Sequence, residues 1–161
     1  METLQVNPTT GEVFLRLPAP YENIIITPPR YSDADDIVTI LNDPRVYKFL
    51  LGPAIPHHHH HAMDWLRRVK SNSDRVLESL REGKTVVDGC PVQHICEVQP
   101  DGTELYLGDL TVSRDGWPEV EDKDLRARMA KENLEKPVGD PSIVWTIGGV
   151  LKRGRACASL C

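Results

Sequence analysis

Bulky apolar side chains are scarce in this chain. Its 161 residues include two phenylalanines and three methionines against 13 prolines, a balance that favours loops and a modest core. No stretch reaches the 18 or so apolar residues that a membrane span needs. Met1 to Val6 lacks both the basic region and the apolar stretch of a secretory signal. There is no basic excess either: 19 Lys and Arg stand against 24 Asp and Glu, a net charge of -5, which argues against a chain that works by neutralising phosphate backbones. Neither nucleic acid nor a membrane is an expected partner, and a cytoplasmic location is expected. Cys90, Cys96, Cys157 and Cys161 match no dense secreted framework, so free thiols in a reducing compartment are expected. Internal repeats are absent, and the one biased segment is a run of five histidines at 57–61.

The length is that of one domain. Two apolar stretches within residues 4–17 flank Asn7-Pro8-Thr9-Thr10-Gly11, whose residue types suit the turn of a small N-terminal hairpin. The β-branched run Ile24-Ile25-Ile26-Thr27 predicts a short buried strand. Ser32, followed by Asp33, Asp35 and Asp36, supplies a hydroxyl cap and carboxylates for the start of a helix over 33–42. Ala34, Ile37, Val38 and Leu41 form its apolar face, and Asn42-Asp43-Pro44 ends it. A short helical turn is predicted over 45–51, with Val46, Phe49 and Leu50 on one face.

A longer helix is expected over 62–81, with an interruption at Ser71-Asn72-Ser73 and Gly83 as the left-handed residue beyond its end. Residues 92–99 and 103–114 predict two strands joined at Pro100-Asp101-Gly102. The charged segment 119–136 has helix-forming composition but little apolar stripe, so an exposed weak helix or loop is expected there. Ile143-Val144-Trp145-Thr146-Ile147 is a further strand, bounded by Pro141 and Gly148-Gly149.

This order of elements is that of the first part of the GNAT N-acetyltransferase fold, and particular residues sharpen the likeness. The stretch from Thr27 to Ile37, with Pro28, Arg30, Ser32, Asp33 and Ala34, resembles the family's "L-T-P-x-R-x-S-D-A-x-x-I" segment. Leu41-Asn42-Asp43-Pro44-Arg45-Val46 resembles its "L-N-D-P-x-V" continuation. Further on, Leu107-Gly108-Asp109-Leu110, then Arg114, Gly116 and Trp117, resemble its "I-G-D-I … R-x-G-W" hairpin. The resemblance covers roughly residues 22–148 and is nearest to the branch of ribosomal-protein and antibiotic N-acetyltransferases, particularly its fungal members.

The resemblance implies an α+β fold with a mixed, mostly antiparallel sheet and flanking helices. Residues 1–21 would be an N-terminal extension and 22–161 a partial GNAT domain without the family's C-terminal strands and helices. It implies acetyl transfer from acetyl-CoA, as co-substrate, to a primary amine of a small molecule or protein, with a homodimer as one assembly. Trp145, Thr146 and Ile147 would lie along the pantetheine arm, pairing by backbone as a strand edge does. Gly154, Arg155 and Ala156 would hold the pyrophosphate at a helix start, although Leu151 stands where the family has Gln or Arg. No residue inherits the family's C-terminal tyrosine, and Glu97 or Asp109 could serve as a carboxylate base. The alternative is an inactive remnant that binds a partner through an open sheet edge.

Other features have plainer readings. Five adjacent histidines cannot all face one ion, so an exposed loop and helix entrance with incidental metal affinity is expected, and no metal centre. Cys157 and Cys161 complete no four-ligand set. Trp65, Trp117 and Trp145 are expected to pack in the core or on strands. Lys152, Arg153 and Arg155 form a basic cluster suited to cofactor phosphates or to a solvated tail.

Overall fold

In the computed structural model, which describes residues 4–50 and 52–152, six strands form one sheet in the order in which the chain makes them. Strands β1 (Gln5–Val6), β2 (Val13–Arg16), β3 (Ile24–Thr27), β4 (His94–Val98), β5 (Glu104–Arg114) and β6 (Trp145–Leu151) are all paired antiparallel. The fold is α+β, as expected.

The turn between β1 and β2 is built by Asn7, whose Oδ1 accepts from the amides of Thr9 and Thr10 at 2.9 and 3.2 Å. Gly11 closes it at φ 72°, a conformation that costs glycine little. Because β2 also pairs with β3, this hairpin extends the main sheet. Arg30 fastens it further, with its guanidinium between the carboxylates of Glu12 and Glu104.

Helix α1 (Ala34–Leu41) is entered through a 3-10 turn at Tyr31–Asp33. The expected Ser32 cap is not made. Its hydroxyl turns to Asp33 Oδ1 at 3.2 Å, while the amides of Asp33 and Ala34 bond back to the carbonyls of Arg30 and Tyr31. The tight turn satisfies backbone groups that a hydroxyl would otherwise take.

Pro44 starts the short helix α2 (Pro44–Tyr47) in the first-turn position that suits proline, with Asp43 as its cap. The face proposed for Val46, Phe49 and Leu50 does not form, since Phe49 is 73% exposed. Helix α3 (His59–Arg81) begins three residues before the expected start because His58 and His61 form a reciprocal capping box. It runs unbroken through Ser73, whose buried hydroxyl donates to the Pro91 carbonyl at 2.6 Å. Gly83 lies beyond its end at φ 85°.

Segment 119–136 contains a full helix, α4 (Lys123–Glu135). The Asp122 carboxylate accepts from the amides of Asp124 and Leu125 at 3.0 Å each. At the other end, the Arg114 guanidinium donates to the carbonyls of Asn133, Leu134 and Lys136, a cation where the helix dipole is negative. These caps replace the apolar stripe that the sequence lacks. Strand β6 starts two residues later than expected and runs through Gly148-Gly149, because Ile143 is buried and Val144 is held by Asn133 ahead of the strand.

The core lies between the sheet and the pair α1 and α3. Ile25, Ile37, Ile40, Ala62, Leu66, Cys96 and Tyr106 form it, with Val150 of β6 packed at its margin. Full burial of one such aliphatic side chain is worth about 1.5–3 kcal/mol. Among the described residues no helix is long and apolar enough to cross a membrane.

Candidate functional site

One extra residue in β5 shapes the site. Cys96 pairs with Tyr106 and Ile95 with Gly108, so Leu107 is the additional residue of a β-bulge. In a regular strand Tyr106 and Asp109 would point to opposite faces. With the bulge, Tyr106 lies opposite Cys96 and Asp109 opposite His94, on the face that α1 and α3 cover.

The bulge depends on glycine at two points. Gly108 has φ 151°, and a Cβ there would fall 1.9 Å from the Val150 carbonyl oxygen. Across the same pairing, a Cβ on Gly149 would fall 2.6 Å from the carbonyl oxygen of Asp109. The two glycines thus let β5 and β6 close up behind the Asp109 side chain.

His94 is wholly buried. Its Nδ1 meets Asp33 Oδ2 at 2.6 Å, the Trp65 indole stacks on it at 6.0 Å, and the Tyr106 ring meets it edge-on at 5.0 Å. Tyr106 in turn donates its hydroxyl to Asp109 Oδ2 at 3.4 Å. Two hydrogen-bonded pairs, Asp33–His94 and Tyr106–Asp109, thus meet through the edge-on contact of the His94 and Tyr106 rings. Burial raises the Asp109 carboxyl above the usual carboxylate range, although His94 and Tyr106 oppose the shift. Burial likewise pushes the Cys96 thiol up to about 12 and makes it a poor nucleophile.

Asp109 opens into a cleft of about 590 Å³ whose walls include Leu41, His57, Trp65 and Val150. That volume falls in the range of small-molecule sites. His57 is positioned by Asn42, whose Nδ2 donates to the His57 carbonyl and whose Oδ1 accepts its amide, each at 2.8 Å. The His57 ring is 7% exposed, and neither nitrogen meets a hydrogen-bond partner of normal geometry among the described residues. The Ala54 backbone is near enough to favour the charged ring, but burial outweighs it and lowers the pKa.

Of the residues expected at the site, Trp145, Thr146 and Ile147 lie on β6, paired with Arg114, Ser113 and Val112. The other edge of β6 has no partner strand among the described residues. Gly154, Arg155 and Ala156 lie outside the described residues, as do Arg153, Cys157 and Cys161. The two candidate bases separate: Asp109 enters the cleft, whereas Glu97 alternates to the opposite face and accepts from Asn23 Nδ2 at 3.1 Å.

The histidine run is a helix entrance, but it is not wholly exposed, because Asn42 draws His57 inward. Among the described residues no three His, Cys, Asp or Glu side chains are grouped to hold a metal. Trp65 packs against the core and Trp117 is half-buried, but Trp145 is 41% exposed, because β6 is an edge strand. The sequence marks His57 only as one of five adjacent histidines and does not mark His94, which sits in an ordinary strand pattern as a polar residue near apolar neighbours.

Comparison with protein-family models, with curated proteins and with solved structures gives no match to this chain.

Proposed function

We propose that this chain is a GNAT-type N-acetyltransferase acting on a primary amine, with Asp109 as the base. The observation that carries the reading is the juxtaposition of a strand with one unpaired edge, β6, and a cleft that holds a buried carboxylate of raised pKa. Acetyl-CoA, when bound, would supply an activated acetyl carbon and depart as the thiol, carrying away the second of the two protons that the amine nitrogen loses.

The chain's own groups do the rest. The Asp109 carboxylate takes the first proton from the ammonium, so that the nitrogen presents a lone pair, and later returns that proton to solvent. Its raised pKa makes it a better acceptor than a free aspartate. Tyr106 holds the carboxylate by its hydroxyl, and Trp65 with Val150 keeps bulk water from one side of it. Backbone groups of Trp145, Thr146 and Ile147 on the free edge suit the amides of a pantetheine arm, and an N–H there suits a developing oxyanion. The reading assigns the work to the cytoplasm, by a monomer or homodimer.

Calorimetric titration with acetyl-CoA, followed by mass spectrometry of a mixture of primary amines, tests it. Saturable heat and a product heavier by one acetyl group support it; no heat at millimolar ligand removes it. A specific observation favours a second reading, an interaction module that recruits a strand: β6 carries no charge, and Ile147, Leu151 and Trp145 are 77%, 56% and 41% exposed.

A further inference from the structure

We infer that the cleft is built for one kind of amine, a single primary ammonium carried on a ring-sized apolar body, that is, an aralkylamine. As an acceptor assignment this rests on the transferase reading above; as a statement about binding it stands on the cleft alone.

Among the described residues, the cleft has one carboxylate that makes no salt bridge. Two carboxylates line it, but Asp64 is paired to Arg67 at 2.5 Å, which leaves Asp109. Arg68 lines the same space. A ligand with several ammonium groups would bring its second charge toward that guanidinium with no carboxylate to receive it, whereas a single ammonium is matched by Asp109. Like charges brought together in a partly desolvated site are costly.

His57 gives the ammonium a second partner. The residue is more than nine-tenths buried and lines the cleft, and neither ring nitrogen meets a hydrogen-bond partner of normal geometry among the described residues, the Ala54 backbone being the one group near it. A buried polar group in that state gains from any ligand that pairs with it. Because burial and the neighbouring histidines favour its neutral form, one nitrogen is free to accept from an N–H.

The remaining wall is largely apolar. Trp65 is fixed in orientation by its stacking on His94, and Ile37, Leu41, Pro53 and Val150 surround the same volume. Such a wall rewards an aromatic or alicyclic body and gives little to a hydroxyl-rich sugar or an extended polyamine.

The test is the affinity of the full chain for 2-phenylethylamine without acetyl-CoA, by calorimetry and by the proton shifts of the Trp65 indole and the His57 ring. Saturable binding with both shifts is expected, weakened about tenfold or more in 2-phenylethanol, which lacks the ammonium, and in Asp109→Asn, which lacks the counter-charge. Glu97→Gln, on the other face of the sheet, should bind as the parent does. Circular dichroism establishes that each variant is folded, and the phenylethanol comparison needs no variant. Binding of spermidine as tight as that of 2-phenylethylamine, or 2-phenylethylamine binding unaltered in folded Asp109→Asn, would overturn the inference. So would acetyl-CoA binding accompanied by no 2-phenylethylamine binding, and that result would leave the transferase reading standing. Amine binding without acetyl-CoA binding supports the cleft chemistry and removes the transferase reading.

Discussion

Asn133 of α4 and the backbone of Val144 grip each other from both sides. Asn133 Nδ2 donates to the Val144 carbonyl at 2.8 Å, and its Oδ1 accepts the Val144 amide at 3.0 Å. The side-chain amide stands in for a neighbouring strand just where β6 begins, and at 1% exposure it does so away from water. The placement of the cleft's β6 wall therefore depends on a residue of α4.

Asn133→Ala removes both bonds; the Val144 carbonyl keeps the Asp115 amide at 2.9 Å, but the Val144 N–H is left without its partner. One orphaned backbone donor costs about 1–3 kcal/mol, and a stability loss of about that size is expected. Urea denaturation measures it. Hydrogen exchange should show the amides of β6 opening first.

Gly108→Ala should disrupt the β5–β6 pairing, since its Cβ has no space beside the Val150 carbonyl. Gly11→Ala is the informative contrast. That glycine also has positive φ, at 72°, but nothing lies within 4 Å of a Cβ there, so only the left-handed backbone cost of about 1–2 kcal/mol applies. Thermal melts of the two variants should differ widely, and in Gly108→Ala the protection of β6 amides should be lost.

Acidification should destabilise the protein through the start of α3. His61 Nδ1 accepts the His58 amide at 3.1 Å and can do so only while unprotonated. The pKa values of His57 and His61 are both lowered, by burial first and by neighbouring histidines second. A base with a lowered native pKa makes the unfolded chain bind more protons. Its contribution is complete above about pH 6.5, the unfolded value, and is lost as pH falls through the native one. The urea midpoint should therefore drop as the pH is lowered below that value. His61→Gln, which keeps an acceptor that does not titrate, should flatten the drop.

Tyr106→Phe should raise the Asp109 pKa further, because the phenol hydroxyl favours the ionised carboxylate. Carboxyl carbon shifts followed through a pH titration measure this directly. Under the transferase reading, the acid limb of the pH–rate profile should move upward in the same variant.

Local chemistry made much of this fold legible. The Pro100-Asp101-Gly102 hairpin has its reason in its own residues: Asp101 accepts the Thr103 amide, and Gly102 takes φ 85°. The helix over residues 62–81 likewise shows its apolar stripe in sequence. What escaped depends on distant partners. Ser32 has the right chemistry for a cap, but the following Asp33 is drawn to His94, and a 3-10 turn takes the hydroxyl's place. Segment 119–136 has no stripe because caps at both ends hold it. For the candidate site, Asp109 is a legible base, and the glycine before it, Gly108, is the one local sign of the bulge that turns it inward. His57, in a run of identical residues, gains its buried position only from Asn42.

The sheet is a meander with two detours, one through α4 between β5 and β6 and a longer one between β3 and β4. Two of its tight links, β1 to β2 and β4 to β5, join neighbours across short turns, whereas β3 meets β4 only after α1, α2 and α3 have been laid down between them. Closing that interval has to be paid in chain entropy before Ile25 can meet Cys96. The rate at which the polypeptide acquires its native shape is therefore expected to be governed by the docking of α1 on α3, so that trimming contacts at Ala62 or Ile37 should slow refolding more than equal damage to either hairpin.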